Sequence, residues 1–140
     1  MAGKSLSRLN SKLPESEKLT LNLGFVDLGH VDLLVREGFY SNRSDFIRTA
    51  IRQHLLQHGD VLRQTVDRKT LVLGLQHFSR ADLESAQAAG QVLQIKVLGL
   101  ASIAPDVSPA LARATIGSLL VLGALNASAE VKAALIDRMR

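Results

Sequence analysis

Between Lys18 and Leu23 the chain alternates polar and apolar residues without exception, reading Lys-Leu-Thr-Leu-Asn-Leu. A period of two belongs to a half-buried strand, which sets Leu19, Leu21 and Leu23 on one face and Lys18, Thr20 and Asn22 on the other. The period then lengthens. Gly24 and Phe25 turn the chain, Asp27 is the expected N-cap of a short helix, and Leu28, Val31, Leu34 and Val35 recur at helical spacing until Gly38. After Phe39 and Tyr40 a second helix is expected to start at Asn42 as N-cap, with Asp45 three residues on as its capping-box partner. Phe46, Ile47, Ala50, Ile51 and Leu55 form its apolar face, and the pattern fades near His58 and Gly59. Residues 61–70 are polar and basic, and read as a linker or a helix extension.

A different pattern fills residues 71–140. Leu71-Val72-Leu73-Gly74-Leu75 is echoed by Lys96-Val97-Leu98-Gly99-Leu100 and by Leu120-Val121-Leu122-Gly123-Ala124, with the glycines 25 and then 24 residues apart. Each apolar run precedes a serine suited to cap a helix: Ser79, Ser108 (before Pro109) and Ser128. Gly90 and Gly117 are expected to stop the first two of these helices. Apolar runs alternating with helices predict parallel strands in three strand-helix units, at a period in the range of solenoid repeats. The fold class is therefore α+β: a β-α-α domain over residues 18–60, followed by a small repetitive β-α domain over 71–140. Residues 1–17 form a polar, flexible basic arm.

One strand and two helices in about 40 residues bury little core, and a lone strand leaves its backbone groups unpaired. Both deficits are repaired by a second copy, giving an intersubunit antiparallel ribbon over four helices. Composition fits a globular chain: 46% of residues are hydrophobic and 21% charged. The net charge of +4 suits a nucleic-acid partner. It does not single out the first domain, since residues 1–60 hold eight cationic against seven acidic side chains and residues 61–140 hold nine against six. Attraction to phosphate must come from local placement of charge.

The stretch from Glu17 to Leu56 resembles the ribbon-helix-helix (CopG/Arc/MetJ-like) DNA-binding domains of bacterial transcriptional regulators. The resemblance rests on the alternating strand, the helix ending at Gly38, and Gly38-Phe39-Tyr40-Ser41-Asn42-Arg43-Ser44-Asp45-Phe46-Ile47-Arg48. It implies a homodimer whose two-stranded ribbon lies in the major groove of double-stranded DNA. The base-reading side chains become Lys18, Thr20 and Asn22. Lys donates to guanine, Asn bonds adenine in bidentate fashion, and Thr offers a hydroxyl or a methyl group. The resemblance also places a phosphate at the start of the second helix, on Ser41, Asn42, Arg43 and Ser44, where free N–H groups and the positive dipole end favour anions. Lys4, Arg8 and Lys12 on the arm are candidates for non-specific DNA contacts. Arg48 and Arg52 read as surface or intersubunit charges, with Asp45 able to neutralise one of them.

Other chemistry is not supplied. There is no cysteine, hence no disulfide and no thiolate metal site. His54 and His58 have metal-compatible spacing on one helix, but no acidic or histidine cluster follows them, and a polar helix end accounts for the pair. No phosphate loop and no grouping of base, nucleophile and oxyanion donor occurs. No enzyme activity and no cofactor is expected. The uncharged run from Ala114 to Ala129 holds two glycines and is shorter than a membrane span of roughly 20 apolar residues. With no secretory signal at its start, the chain is expected to be cytoplasmic and nucleoid-associated, a repressor whose residues 71–140 join dimers into larger homo-oligomers. Two other readings remain: a filament-forming structural protein with DNA as its anchor, and an antitoxin whose C-terminal half grips a toxin.

Overall fold

The computed structural model describes residues 16–140. Lys4, Arg8, Lys12 and nearly all of the expected basic arm lie outside the described residues. The chain forms two compact units, Ser16–Thr65 and Val66–Arg140.

The first unit is helical. Helix α1 spans Phe25–Arg36 and α2 spans Arg43–Gln57. Helix α1 begins three residues earlier than expected. Gly24 occupies its N-cap without a side-chain bond, and Asp27 falls inside the first turn, where a carboxylate favours the positive end of the helix. Its end is a Schellman turn. The Phe39 N–H donates to the Leu34 carbonyl, that of Gly38 to Val35, and Gly38 takes a φ of +85° that side chains disfavour. At the start of α2, Asn42 is the cap: its Oδ1 accepts from the Asp45 N–H at 2.8 Å. Asp45 accepts in turn from the Ser41 N–H at 2.9 Å, one residue outside the usual capping-box partner. It is thereby held at the cap and is not the counter-charge expected for Arg48 or Arg52. Tyr40 and Phe46 meet edge to face across this turn, with ring centroids 5.0 Å apart.

Helix α2 ends at Gln57 with His58 as its C-cap, where the sequence pattern fades. A third helix, α3, runs Gly59–Lys69 and covers most of the stretch read as a linker or a helix extension.

The second unit follows the three-unit repeat. Strand β1 (Val72–Phe78), helix α4 (Arg80–Ala88), β2 (Leu93–Ile103), α5 (Pro109–Thr115), β3 (Ile116–Asn126) and α6 (Ala129–Leu135) alternate, with a short 3-10 turn at Ile136–Arg138. The sheet is wholly parallel in the order β1-β2-β3. Ser79, Ser108 and Ser128 each accept a hydrogen bond from the backbone N–H three residues on. Gly90 ends α4 as expected, at a φ of +69°. Gly117 does not end α5. The helix stops at Thr115, and Gly117 lies inside β3, where a Cβ would stand 2.5 Å from Val92 Cγ1. That glycine serves a close approach between side chain and strand.

Val97, Leu83, Ile116, Leu119, Val131 and Leu135 are almost fully buried in one cluster drawn from all three strands and helices. Each such side chain contributes about 1.5–3 kcal/mol relative to exposure. The C-terminal end is tied down by Arg113, which donates to the Asp137 carboxylate (2.8 Å) and the Ala134 carbonyl (2.6 Å), and by Arg138, which donates to the Ile116 carbonyl at 2.6 Å.

The glycine repeat has a structural cause. Gly74, Gly99 and Gly123 are direct neighbours across the sheet, at φ values of +108°, +138° and +123°. A Cβ on Gly99 would lie 2.2 Å from the Gly74 carbonyl oxygen, and one on Gly123 would lie 2.1 Å from that of Gly99. Each strand kinks at the same level, and the kinks of β2 and β3 press the glycine Cα against the carbonyl of the strand before it. Only glycine permits that contact.

Candidate nucleic-acid interface

Residues 17–24 enter α1 as neither helix nor strand within one copy. Lys18, Thr20 and Asn22 are exposed there, as a reading face requires, but so are the intervening leucines, Leu21 to 61%. The leucines therefore have no partner surface among the described residues of a single chain. The same is true of α2, whose Ile51 and Leu55 stay about half exposed. Phe46 and Ile47 are half-buried, while Ala50 is exposed, so the apolar face expected to be buried is only partly covered. Val31 is the one fully buried apolar side chain among the described residues of this unit. A unit with so little enclosed surface lacks the driving force of a self-sufficient core.

The second group of candidate contacts, Ser41, Asn42, Arg43 and Ser44, converges at the exposed start of α2. The cap takes the Asp45 N–H, and the Phe46 N–H donates to the Asn42 carbonyl at 3.2 Å. The Arg43 and Ser44 N–H groups, first in the helix, have no partner among the described residues, as the geometry of a helix start dictates. Two donors thus point out of the helix at its positive end, the arrangement that binds an anion.

The Arg43 side chain is engaged elsewhere. Its Nε donates to Asp32 Oδ1 at 2.7 Å and its Nη2 to Oδ2 at 2.9 Å, a bidentate pair linking α2 to α1. The hydrogen bond from Arg43, with its charge adding to it, holds the Asp32 carboxyl below the ordinary carboxylate range; the same bond raises Arg43. Both groups are solvent-exposed, so the pair orients the guanidinium more than it stabilises the fold. This pairing spans eleven residues and two helices, and only the fold brings it together. Arg48 and Arg52 are exposed one turn apart on α2. His54 and His58 stack edge to face at 5.1 Å, and no group of three or more potential metal ligands occurs among the described residues.

No helix among the described residues is long and apolar enough to cross a membrane. No curated protein and no solved structure matches the chain. Over residues 14–132 it matches the sequence profile of the Ribbon-Helix-Helix transcriptional regulator family. That match extends beyond the resemblance at 17–56 and takes in all three strands of the second unit. The chain belongs to the ribbon-helix-helix family of DNA-binding transcriptional regulators.

Proposed function

We propose that this chain is a sequence-specific repressor that binds DNA as a homodimer, in a cytoplasmic and nucleoid-associated setting. Residues 18–23 of two copies pair as an antiparallel ribbon that enters the major groove. The observation that carries this reading is the exposure of both faces of that segment in one copy. A partner strand satisfies its backbone, the partner's helices take up Leu19, Leu21 and Leu23, and Lys18, Thr20 and Asn22 are left to meet base edges. The Arg43 and Ser44 N–H groups, with the side chains of Ser41, Asn42, Arg43 and Ser44, grip a flanking phosphate.

Selection of bound sequences from random DNA tests this reading and yields the operator with its half-site spacing. On the selected site, Thr20→Ala or Asn22→Ala costs about 1–3 kcal/mol and much less on random duplex. Equal losses on both DNAs would remove these residues from base reading.

Asp32 restrains the phosphate contact, because Arg43 must share or leave it to reach DNA. Asp32→Ala is therefore expected to strengthen binding to any duplex. Arg43→Ala is expected to weaken it uniformly and to flatten the plot of log affinity against log salt by roughly one phosphate's worth per subunit, about 1.8 for the dimer. A salt titration in which neither variant departs from the native protein would place Arg43 away from the backbone.

The second unit supports a further role, joining dimers into larger assemblies. Helices cover one face of its sheet, while Leu73, Leu75 and Leu122 remain exposed. Joined dimers bind neighbouring sites more tightly through effective concentration, without any new base contact.

A further inference from the structure

We infer that copies of this chain join head to tail through the sheet, the free edge of β3 in one copy pairing in parallel with β1 of the next, in the register set by the glycine column. This deepens the assembly role proposed for the second unit and is independent of how the first unit reads DNA.

The edge of β1 is unprotected. Edge strands ordinarily carry a charge, a proline or a bulge that blocks pairing with a neighbour. Val72–Phe78 has neither a charge nor a proline, and Leu73 is 72% exposed. Its outer backbone groups have no strand beside them among the described residues.

The shape of that edge points to its occupant. Gly99 and Gly123 are glycines because the carbonyl of the preceding strand's glycine fills the space of a Cβ. Gly74 has the same left-handed kink, yet nothing lies within 4 Å of its Cβ position. The slot into which a glycine carbonyl fits twice within the chain is open a third time at β1. At the opposite edge, the Gly123 carbonyl belongs to a strand with the same kink and no following strand.

The lengths match as well. The C-terminal residues occupy the start of the β3 edge, where Met139 bridges Leu119 and the Arg140 N–H donates to the Leu119 carbonyl at 2.9 Å. The stretch from Val121 to Asn126 has no strand on its outer side among the described residues. With Gly74 of the next copy beside Gly123, Val72 falls beside Val121 and His77 beside Asn126, continuing the columns Val72–Val97–Val121 and His77–Ser102–Asn126 already present. The Nδ1 of His77 is buried without a hydrogen-bond partner, and this register brings a side-chain amide to that residue. A second copy of the chain supplies the apolar face, the glycine carbonyl and the amide at once. Such a contact joins two different surfaces, so it propagates as a ring or a filament and does not close as a pair.

The chain has no cysteine, which makes single-cysteine variants clean probes. Leu73→Cys and Leu122→Cys proteins are mixed, allowed to exchange subunits without DNA, and treated with a short thiol-to-thiol crosslinker. Neighbouring strands lie about 4.8 Å apart, within its reach. The expected result is a crosslinked pair in the mixture and none in either variant alone. Sedimentation of the native protein at micromolar concentration should show species larger than a dimer, and Leu73→Lys should reduce them to the dimer while binding to a single DNA site is retained. Crosslinking of Leu73→Cys with itself would mean that β1 edges meet across a two-fold axis, and would overturn the head-to-tail contact. So would a native protein that stays a discrete dimer. Loss of DNA binding in the base-reading variants with the crosslink intact would leave this contact standing.

Discussion

Gly99→Ala is expected to unfold the second unit under conditions in which Gly74→Ala leaves it folded. Both glycines have a positive φ, so alanine at either carries backbone strain of roughly 1–3 kcal/mol. At Gly99 the new methyl group would also sit 2.2 Å from the Gly74 carbonyl oxygen, whereas at Gly74 it meets nothing. That oxygen is backbone in the neighbouring strand and cannot swing aside as a side-chain tip can. Relieving the clash means separating β1 from β2 at their centre, which adds at least the ~1–3 kcal/mol of an overpacked core. The sum approaches the lower end of the ~5–15 kcal/mol that holds a domain together. Amide exchange in β2, followed below the concentration at which copies assemble, separates the two variants. Equal protection in both would mean that the close approach at Gly99 is not a determinant of the fold. Above that concentration Gly74→Ala takes on a second role, because it fills the slot offered to another copy.

This column also shows which parts of the molecule were open to reading from the sequence. Glycines spaced 25 and 24 residues apart pointed to parallel strands in repeated β-α units, and the structure sets those glycines side by side because each unit returns the chain to the same level of the sheet. The serine caps and Asn42 were legible because a cap is settled within three residues. Gly117 was misread for the same local reason: a glycine after a helical stretch looks like a stop until Val92, from a distant loop, is seen to occupy its Cβ position. Asp27 is a better capping residue than Gly24, which is why the spacing favours it, but Phe25 and Val26 already have helical conformation. The Asp32–Arg43 pair could not be read at all, since nothing in the spacing of those residues fixes the angle at which α1 and α2 meet. The base-reading candidates were legible only as a pattern. Alternation shows which side chains share a face, while nothing among the described residues of one chain covers the apolar face.

The proposed ribbon yields the other large effect. Leu21→Asp is expected to abolish the dimer and, with it, specific DNA binding, while Thr20→Asp one residue away is expected to preserve the dimer and remove only DNA binding. In a single copy Leu21 is more exposed than buried, so an aspartate there costs the monomer little. In the ribbon, alternation places it among the apolar residues beneath the strands. An unpaired carboxylate in that position costs several kcal/mol through desolvation, and a symmetric dimer contains it twice. A penalty of about 4 kcal/mol or more raises the dimer dissociation constant on the order of a thousandfold. Thr20 lies on the opposite face of the same strand, where aspartate remains in water and merely repels phosphate. Sedimentation in a Leu73→Lys background, which excludes contacts through the sheet edge, reads the first effect, and mobility of labelled operator DNA reads the second. A Leu21→Asp protein that sediments as the native dimer would show that residues 18–23 are not the dimer element. Equal behaviour of the two variants would show that the segment does not present one face to a partner and the other to DNA, the property by which six residues would serve both purposes in the proposed ribbon.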